Sequence, residues 1–469
     1  MRYKIFFILV FIIPILGTTI RATNANTNAN YEVVKENIKN LQFVYLPDER
    51  FPTYEIVFYF ADGALSDRKY NYGETSSLFS LLTAGTDKYK QEEINDFLEF
   101  YGVGIGGDVT HEYSYFSVFG LDKDIEPTLK MICHLFSKSN FPDDELKKFK
   151  IRGKTTIENI IASPSALGDR IFRELSLQDT PYQKSADISL DGIKNLNRKS
   201  LNEKLKYFNK NVKKRVYVSA PKVAYLKAQK IISKECGFDL KKSTFIRKAD
   251  FTANSNSNQI RKYQLYLVPI ANSTQAQIRI GRYIYKREIA DIDLMQVGSE
   301  FLGGGGFGSR LMQELRVDRG LTYGVSAFAS PQRDYGRSAI TTSTKNESVN
   351  EAIEVIKNVL AKTSEGQYEE KDLKKTIKLL AGKHPFNFEK RDSYLRQLMY
   401  SDHIGQNYKA IYDFPNIISK YSKQDVSLEI KKLFPWEQQT IVVVGSASLE
   451  AELKKKWGKV TILDYKNFL

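Results

Sequence analysis

Hydrophobic patterning runs along the chain in two modes, and the pair of modes comes round twice. Residues 41–46 and 54–61 are runs rich in Phe, Val and Tyr around a Pro47-Asp48 turn, which predicts two strands. Residues 92–101 carry Ile94, Phe97, Leu98 and Tyr101 at helical spacing, with Gly102 or Gly104 as the stop. A strand over 113–121 then feeds a helix over 124–138 that places Leu129, Ile132, Cys133 and Phe136 on one face. The same sequence of events returns later. A strand over 338–344 feeds a helix over 348–362 with Ile353, Ile356, Val359 and Leu360 on one face. Glu145-Leu146-Lys147-Lys148 recurs 227 positions on as Asp372-Leu373-Lys374-Lys375, and Val216-Tyr217-Val218 recurs 225 positions on as Ile441-Val442-Val443. Similar offsets in separate elements predict two copies of one α+β unit of about 200 residues. The expected fold class is therefore α+β: two like domains, each an antiparallel-rich mixed sheet covered by helices. The domains are expected at 26–247 and 263–469, joined by a linker over 248–262 that contains the polar run Asn254-Ser255-Asn256-Ser257-Asn258.

In the second copy, residues 275–280 alternate polar and apolar. That fits a half-buried strand, and an edge position there could accept an extended peptide by strand addition; an ordinary sheet strand fits the pattern too. A helix over 290–302 leads into Gly303-Gly304-Gly305-Gly306. A second helix follows over 308–318, Gly320 ends it, and a strand begins over 321–328. Gly303, Gly305 and Gly308 formally satisfy G-x-G-x-x-G. A dinucleotide fingerprint must follow a strand, however, and here a helix precedes it; no Gly-Lys-Ser/Thr ending marks a phosphate loop. The glycines instead predict a helix-turn-helix joint that lets backbone approach something closely. Beside it, Arg316 and Tyr323 are the side-chain types suited to holding a carbonyl and its developing oxyanion. An Arg–carboxylate pair and a half-buried tyrosine would account for the same two residues.

Composition narrows the setting. A chain of 469 residues calls for two or more domains. Residues 1–25 open with a short basic start and an apolar run over 5–17, too short for a comfortable membrane span. They read as a secretory signal peptide, with no membrane span expected after its removal. The formal net charge of +15 lies largely in lysines on predicted helix faces with acidic residues close by, and no nucleic-acid-binding motif accompanies it. Export raises the possibility of a disulfide. Cys133 and Cys236 could pair, although the favoured reading is two buried thiols, because Cys133 falls on an amphipathic helix beside Met131 and Leu135.

The segments Leu302-Gly303-Gly304, Ser309-Arg310-Leu311, Glu314-Leu315-Arg316 and Arg319-Gly320-Leu321-Thr322-Tyr323 resemble the C-terminal signature of the insulinase/pitrilysin family of zinc metallopeptidases, whose metal motif is His-x-x-Glu-His. The resemblance extends to the two-copy organisation. It implies that Arg316 and Tyr323 are catalytic, binding the substrate carbonyl, and that Gln275, Ala276, Gln277 and Ile278, with Gly303, Gly304 and Gly305, hold the peptide. The first half departs from the pattern where metal chemistry belongs. Counting back from Gly85-Thr86, the His, Glu and His positions hold Ser76, Phe79 and Ser80. A serine is a poor zinc ligand and Phe79 cannot act as a base. Glu158 is the nearest candidate for the family's third ligand, and His111, His134, His384 and His403 are scattered. The resemblance thus implies a periplasmic, non-zinc subunit that binds no metal itself. A zinc-bearing partner with His-x-x-Glu-His would then complete a shared peptide-hydrolysing site. The alternative is an inactive structural or peptide-binding member of the same fold.

Overall fold

The computed structural model describes residues 33–241 and 262–469. The signal peptide expected over 1–25 and all but Lys262 of the linker expected over 248–262 lie outside the described residues. Twelve strands are described: β1 (Val34–Ile38), β2 (Leu41–Pro47), β3 (Thr53–Phe60), β4 (Gly104–Val109), β5 (Ser114–Leu121), β6 (Lys214–Ala220), β7 (Gln264–Pro269), β8 (Gln275–Tyr285), β9 (Val325–Pro331), β10 (Tyr335–Lys345), β11 (Thr440–Gly445) and β12 (Val460–Ile462). They make two six-stranded sheets, ordered β1-β2-β6-β3-β5-β4 and β12-β7-β11-β8-β10-β9.

Five strands of each sheet repeat one plan. β2 is parallel to β6, and β6-β3-β5-β4 continue antiparallel; β7 is parallel to β11, and β11-β8-β10-β9 continue antiparallel. Only the sixth strand differs. β1 joins β2 as an antiparallel hairpin partner, whereas β12 lies parallel to β7. The fold is α+β, with two mixed sheets covered by helices.

Strand alternation decides which residues face those helices. In β3, Tyr54, Ile56, Phe58 and Phe60 enter the core of the first half, where the Ile125–Lys138 and Lys222–Glu235 helices pack. In β8, Ala276, Ile278, Ile280 and Ile284 enter the core of the second half, beneath the Val349–Ser364 helix. The Ile125–Lys138 helix buries Cys133 as its periodicity predicted. Its neighbour is the Lys222–Glu235 helix, whose following residue is Cys236, and the two sulfurs form a disulfide spanning a sequence separation of 103. The expectation of free thiols is overturned, because periodicity shows that a helix face is buried but not which helix covers it. In chain-entropy terms, closing a loop of about 100 residues stabilises the fold by about 4–5 kcal/mol.

The outer faces of the sheets are covered reciprocally. From the first half, the Pro164–Ser176 helix lies on the second sheet, packing Leu167, Ile171, Phe172 and Leu175 against Val268, Ala339, Val442 and Val444. From the second half, the Arg391–Ile404 helix lies on β3 and β6 of the first sheet. There His403 Nδ1 accepts from the Tyr59 hydroxyl at 2.9 Å, and the Tyr217 hydroxyl donates to Asp402 at 2.9 Å. Each half therefore completes the other.

Two local expectations change. Residues 275–280 belong to β8, an interior strand paired along its length with β10 and over 277–281 with β11, so the backbone over 277–280 offers no free edge. Side-chain alternation alone cannot distinguish an edge strand from an interior one. Tyr323 is not on a strand either. The turn before β9 is held by Thr322 Oγ1, which donates to Gly324 O at 2.8 Å and accepts from Gly324 N at 3.0 Å, and β9 begins only at Val325.

Candidate functional site

Ser76, Phe79 and Ser80, at the degenerate metal positions, lie on the Glu74–Ser80 helix. A buried ion cluster fixes the start of that helix. Asp67 accepts backbone N–H bonds from Gly73 and Thr75, both at 2.9 Å, while Lys204 lies 3.3 Å from Asp67 and 3.5 Å from Glu74. The Ser76 hydroxyl donates to Ala186 O at 2.7 Å, Phe79 packs against Phe60 and Phe208 at ring separations of 5.3 and 5.5 Å, and Ser80 is exposed. Glu158 is exposed on the Asp143–Ala162 helix. Among the described residues, no group of three His, Cys, Asp or Glu side chains is arranged to hold a metal ion. Two hydroxyls and a phenyl ring at these positions do not fit zinc.

That helix faces β4, one of the two edge strands of the first sheet. Among the described residues β4 pairs only with β5, and Gly106, Gly107 and Asp108 are exposed along it. A cavity of about 410 Å³ lies between helix and edge, lined by Ser76, Phe79, Ser80, Ile105, Gly107 and Phe116 among others. An unpaired row of backbone donors and acceptors beside a cavity with an apolar floor is the arrangement that receives an extended chain by strand addition.

The Gly303–Tyr323 region forms a separate feature in the second half. Glycine at 303 is required by close approach: a Cβ there would come within 2.6 Å of Ala327 N on β9. After the Ile292–Ser299 helix the chain makes a wide turn over Glu300–Gly304, then a short helix over Arg310–Met312 and a second wide turn over Gln313–Val317 that carries Arg316. Arg316 Nη1 donates to the backbone oxygen of Tyr323 at 2.7 Å, and its guanidinium sits 4.6 Å from the centre of the Phe307 ring. The Tyr323 side chain is left 82% exposed. Arg316 and Tyr323 are brought together, but through the tyrosine's backbone. Neither lines the cavity beside β4, which also includes none of Gln275, Ala276, Gln277, Ile278, Gly303, Gly304 or Gly305.

Sequence reasoning passed over a buried cluster between the halves. Glu112 is fully buried. Its Oε1 accepts from the Tyr182 hydroxyl at 3.0 Å and from Asp334 N at 3.1 Å, and its Oε2 accepts from Arg333 N at 2.9 Å and His403 Nε2 at 3.0 Å. Burial alone would push this carboxyl up, but His403, Arg333 and Tyr182 hold it below its ordinary value. His403 is lowered, because burial outweighs the attraction of Glu112. Neighbouring His111, whose Nε2 lies 2.7 Å from Lys184 O, is pushed down to about 4 by burial. The adjacent pair His111-Glu112 was the available signal, but it matched no ligand spacing because its partners lie far along the chain, from Tyr182 to His403.

Residues 231–380, which contain the whole Gly303–Tyr323 region, match the family described as the peptidase M16 inactive domain. A Helicobacter pylori protein described as the non-peptidase homolog YmxG is 21% identical over 395 residues, covering 82% of this chain and 87% of its own. A crystal structure of a peptidase M16 inactive domain from Pseudomonas fluorescens superposes with a TM-score of 0.78 at 20% identity, covering 88% of this chain and 98% of that one. A structure described as a protease from Helicobacter pylori gives a TM-score of 0.74 at 15% identity, with 88% and 99% coverage. The structural likenesses establish the fold. The sequence match to the peptidase M16 inactive domain family is confined to residues 231–380.

Proposed function

We propose that this chain is a non-catalytic M16-fold protein that holds an extended peptide on the β4 edge without cleaving it. The observation that carries the reading is the pairing of an exposed edge strand with a helix whose metal positions are Ser76, Phe79 and Ser80. A bound peptide would add a strand to β4, supplying backbone hydrogen bonds, and would point alternate side chains into the cavity over Phe79 and Phe116. Ile105→Glu places a charge on a cavity-lining side chain that is already 37% exposed. It should weaken peptide binding by about tenfold or more while leaving the melting temperature nearly unchanged. Fluorescence anisotropy with labelled, unstructured peptides measures this, and unchanged affinity in the variant would remove β4 from the account.

A second reading rests on Arg316 and Tyr323. Their mutual fixation and the exposure of the Tyr323 ring suit contribution of a carbonyl-binding pair to a zinc-bearing partner across an interface. The finer elements of this reading are a zinc-bearing M16 partner, a shared peptidase site and a periplasmic setting. In a reconstituted complex with such a partner, Tyr323→Phe should lower kcat by about tenfold or more; full activity would contradict this reading.

A further inference from the structure

A strand added at β4 would present side chains to two faces, and the face away from the cavity carries a pattern of its own. Register sets Ile105 and Gly107 of β4 opposite Val118 and Phe116 of β5, both core residues, so these positions face inward. Gly104, Gly106 and Asp108 therefore lie on the outer face, opposite Phe119, Ser117 and Tyr115. The Arg391–Ile404 helix lies on β3 and β6, but Gly106, Asp108 and Phe119 are exposed.

Phe119 is 53% exposed, and its ring does not stay over its own strand. A Cβ at residue 104 would collide with Phe119 Cε1 and Cζ, so the ring reaches across β4 towards the free edge, over a backbone that carries no side chain at 104 or 106. Covering an edge glycine accounts for one side of the ring. Strands lie about 4.8 Å apart, so a ring that spans β4 meets a side chain on the next strand out. At the other end of β4, Asp108 is exposed, accepts from Val109 N at 2.8 Å and makes no ion pair among the described residues. Arg396, beside Tyr115, is already paired with Asp392 at 2.6 Å.

We infer that the β4 site selects peptides through this outer face: it takes an extended segment with an aromatic or other large apolar residue opposite Gly104 and a basic residue opposite Asp108, four positions along. The inference rests on strand addition at β4. Phe119 is then a specificity-determining residue that packs on the apolar side chain, while Asp108 pairs with the basic one.

Fluorescence anisotropy of the purified full chain with three labelled peptides tests it. The parent alternates Val and Thr and carries Phe and Lys, four positions apart, in place of two Thr; the others replace that Phe by Ala or that Lys by Glu. The parent should bind about three- to tenfold more tightly than either. Phe119→Ala should abolish the preference for Phe and leave the preference for Lys, and Asp108→Asn should do the reverse. Phe119→Leu keeps the space over Gly104 filled, and should retain part of the preference for Phe at a nearly unchanged melting temperature. Equal affinity for all three peptides in protein whose binding is weakened by Ile105→Glu, or a preference for Phe that survives Phe119→Ala, would overturn the inference and leave the β4 site standing. Binding of none of the three, or binding indifferent to Ile105→Glu, would remove strand addition itself and the inference with it.

Discussion

The two helices that cross between the halves each lie on the other half's sheet and lean on different chemistry. Pro164–Ser176 meets the second sheet through Leu167, Ile171, Phe172 and Leu175, an apolar stripe pressed on Val442 and Val444. Arg391–Ile404 meets the first sheet through Asp402 and His403, hydrogen-bonded to Tyr217 and Tyr59, with Glu112 behind His403. The first dock is mostly non-directional, with one directed anchor where Arg279 of β8 donates to Asp169 at 2.6 Å and to Ser165 Oγ at 2.8 Å; the second depends more on fixed geometry, since each buried polar atom left without its partner is costly. One dock supplies area and the other fixes register.

The contrast can be broken most forcefully at Glu112. Glu112→Ala strands His403, the Tyr182 hydroxyl and the backbone N–H groups of Arg333 and Asp334, and should cost about 3–5 kcal/mol in urea unfolding. A loss under about 1 kcal/mol would mean the polar dock is loosely made. At the apolar dock, Ile171→Ala should cost about 2–4 kcal/mol, because the side chain is fully buried and the sheet beneath it cannot collapse into the gap. The two docks should also answer differently to pH.

His111 and His403 are held below the ordinary histidine value, so between about pH 6.5 and their folded values the unfolded chain binds more protons than the folded one. Their contribution is complete above about pH 6.5 and is lost as pH falls toward about 4 for His111. Glu55, on the same sheet face and pushed up to about 7 by burial and by Asp392, acts in the opposite sense, losing stability as pH rises. A difference measurement separates them. The stability gap between wild type and His403→Gln should shrink by about 1 kcal/mol from pH 7.5 to 5.5 in urea unfolding, whereas the gap for Ile171→Ala should stay constant. A constant gap for His403→Gln would contradict the assignment.

The same contrast explains what was legible in the sequence. Core-facing stripes such as Leu129, Ile132, Cys133 and Phe136 announce themselves by period, as did the repeat that became two sheets of one plan. Contacts set by topology do not. The interior place of β8 depends on strands before and after it in the chain, the Cys133–Cys236 bond on which helices become neighbours, and the Glu112 cluster on residues near 182, 333 and 403. At the candidate site the residue types at 76, 79 and 80 were readable without the fold. The exposed edge beside them was misplaced to residues 275–280, because edges belong to sheets and not to segments.

The central claim is retention of a peptide-holding edge without hydrolysis. The most direct measurement incubates the purified chain, supplied with zinc, with a labelled peptide library, reading binding by anisotropy and cleavage by mass spectrometry in wild type and Ile105→Glu. The account predicts saturable binding that the substitution weakens, with every peptide intact. Cleavage by the chain alone, or binding indifferent to Ile105→Glu, would contradict it.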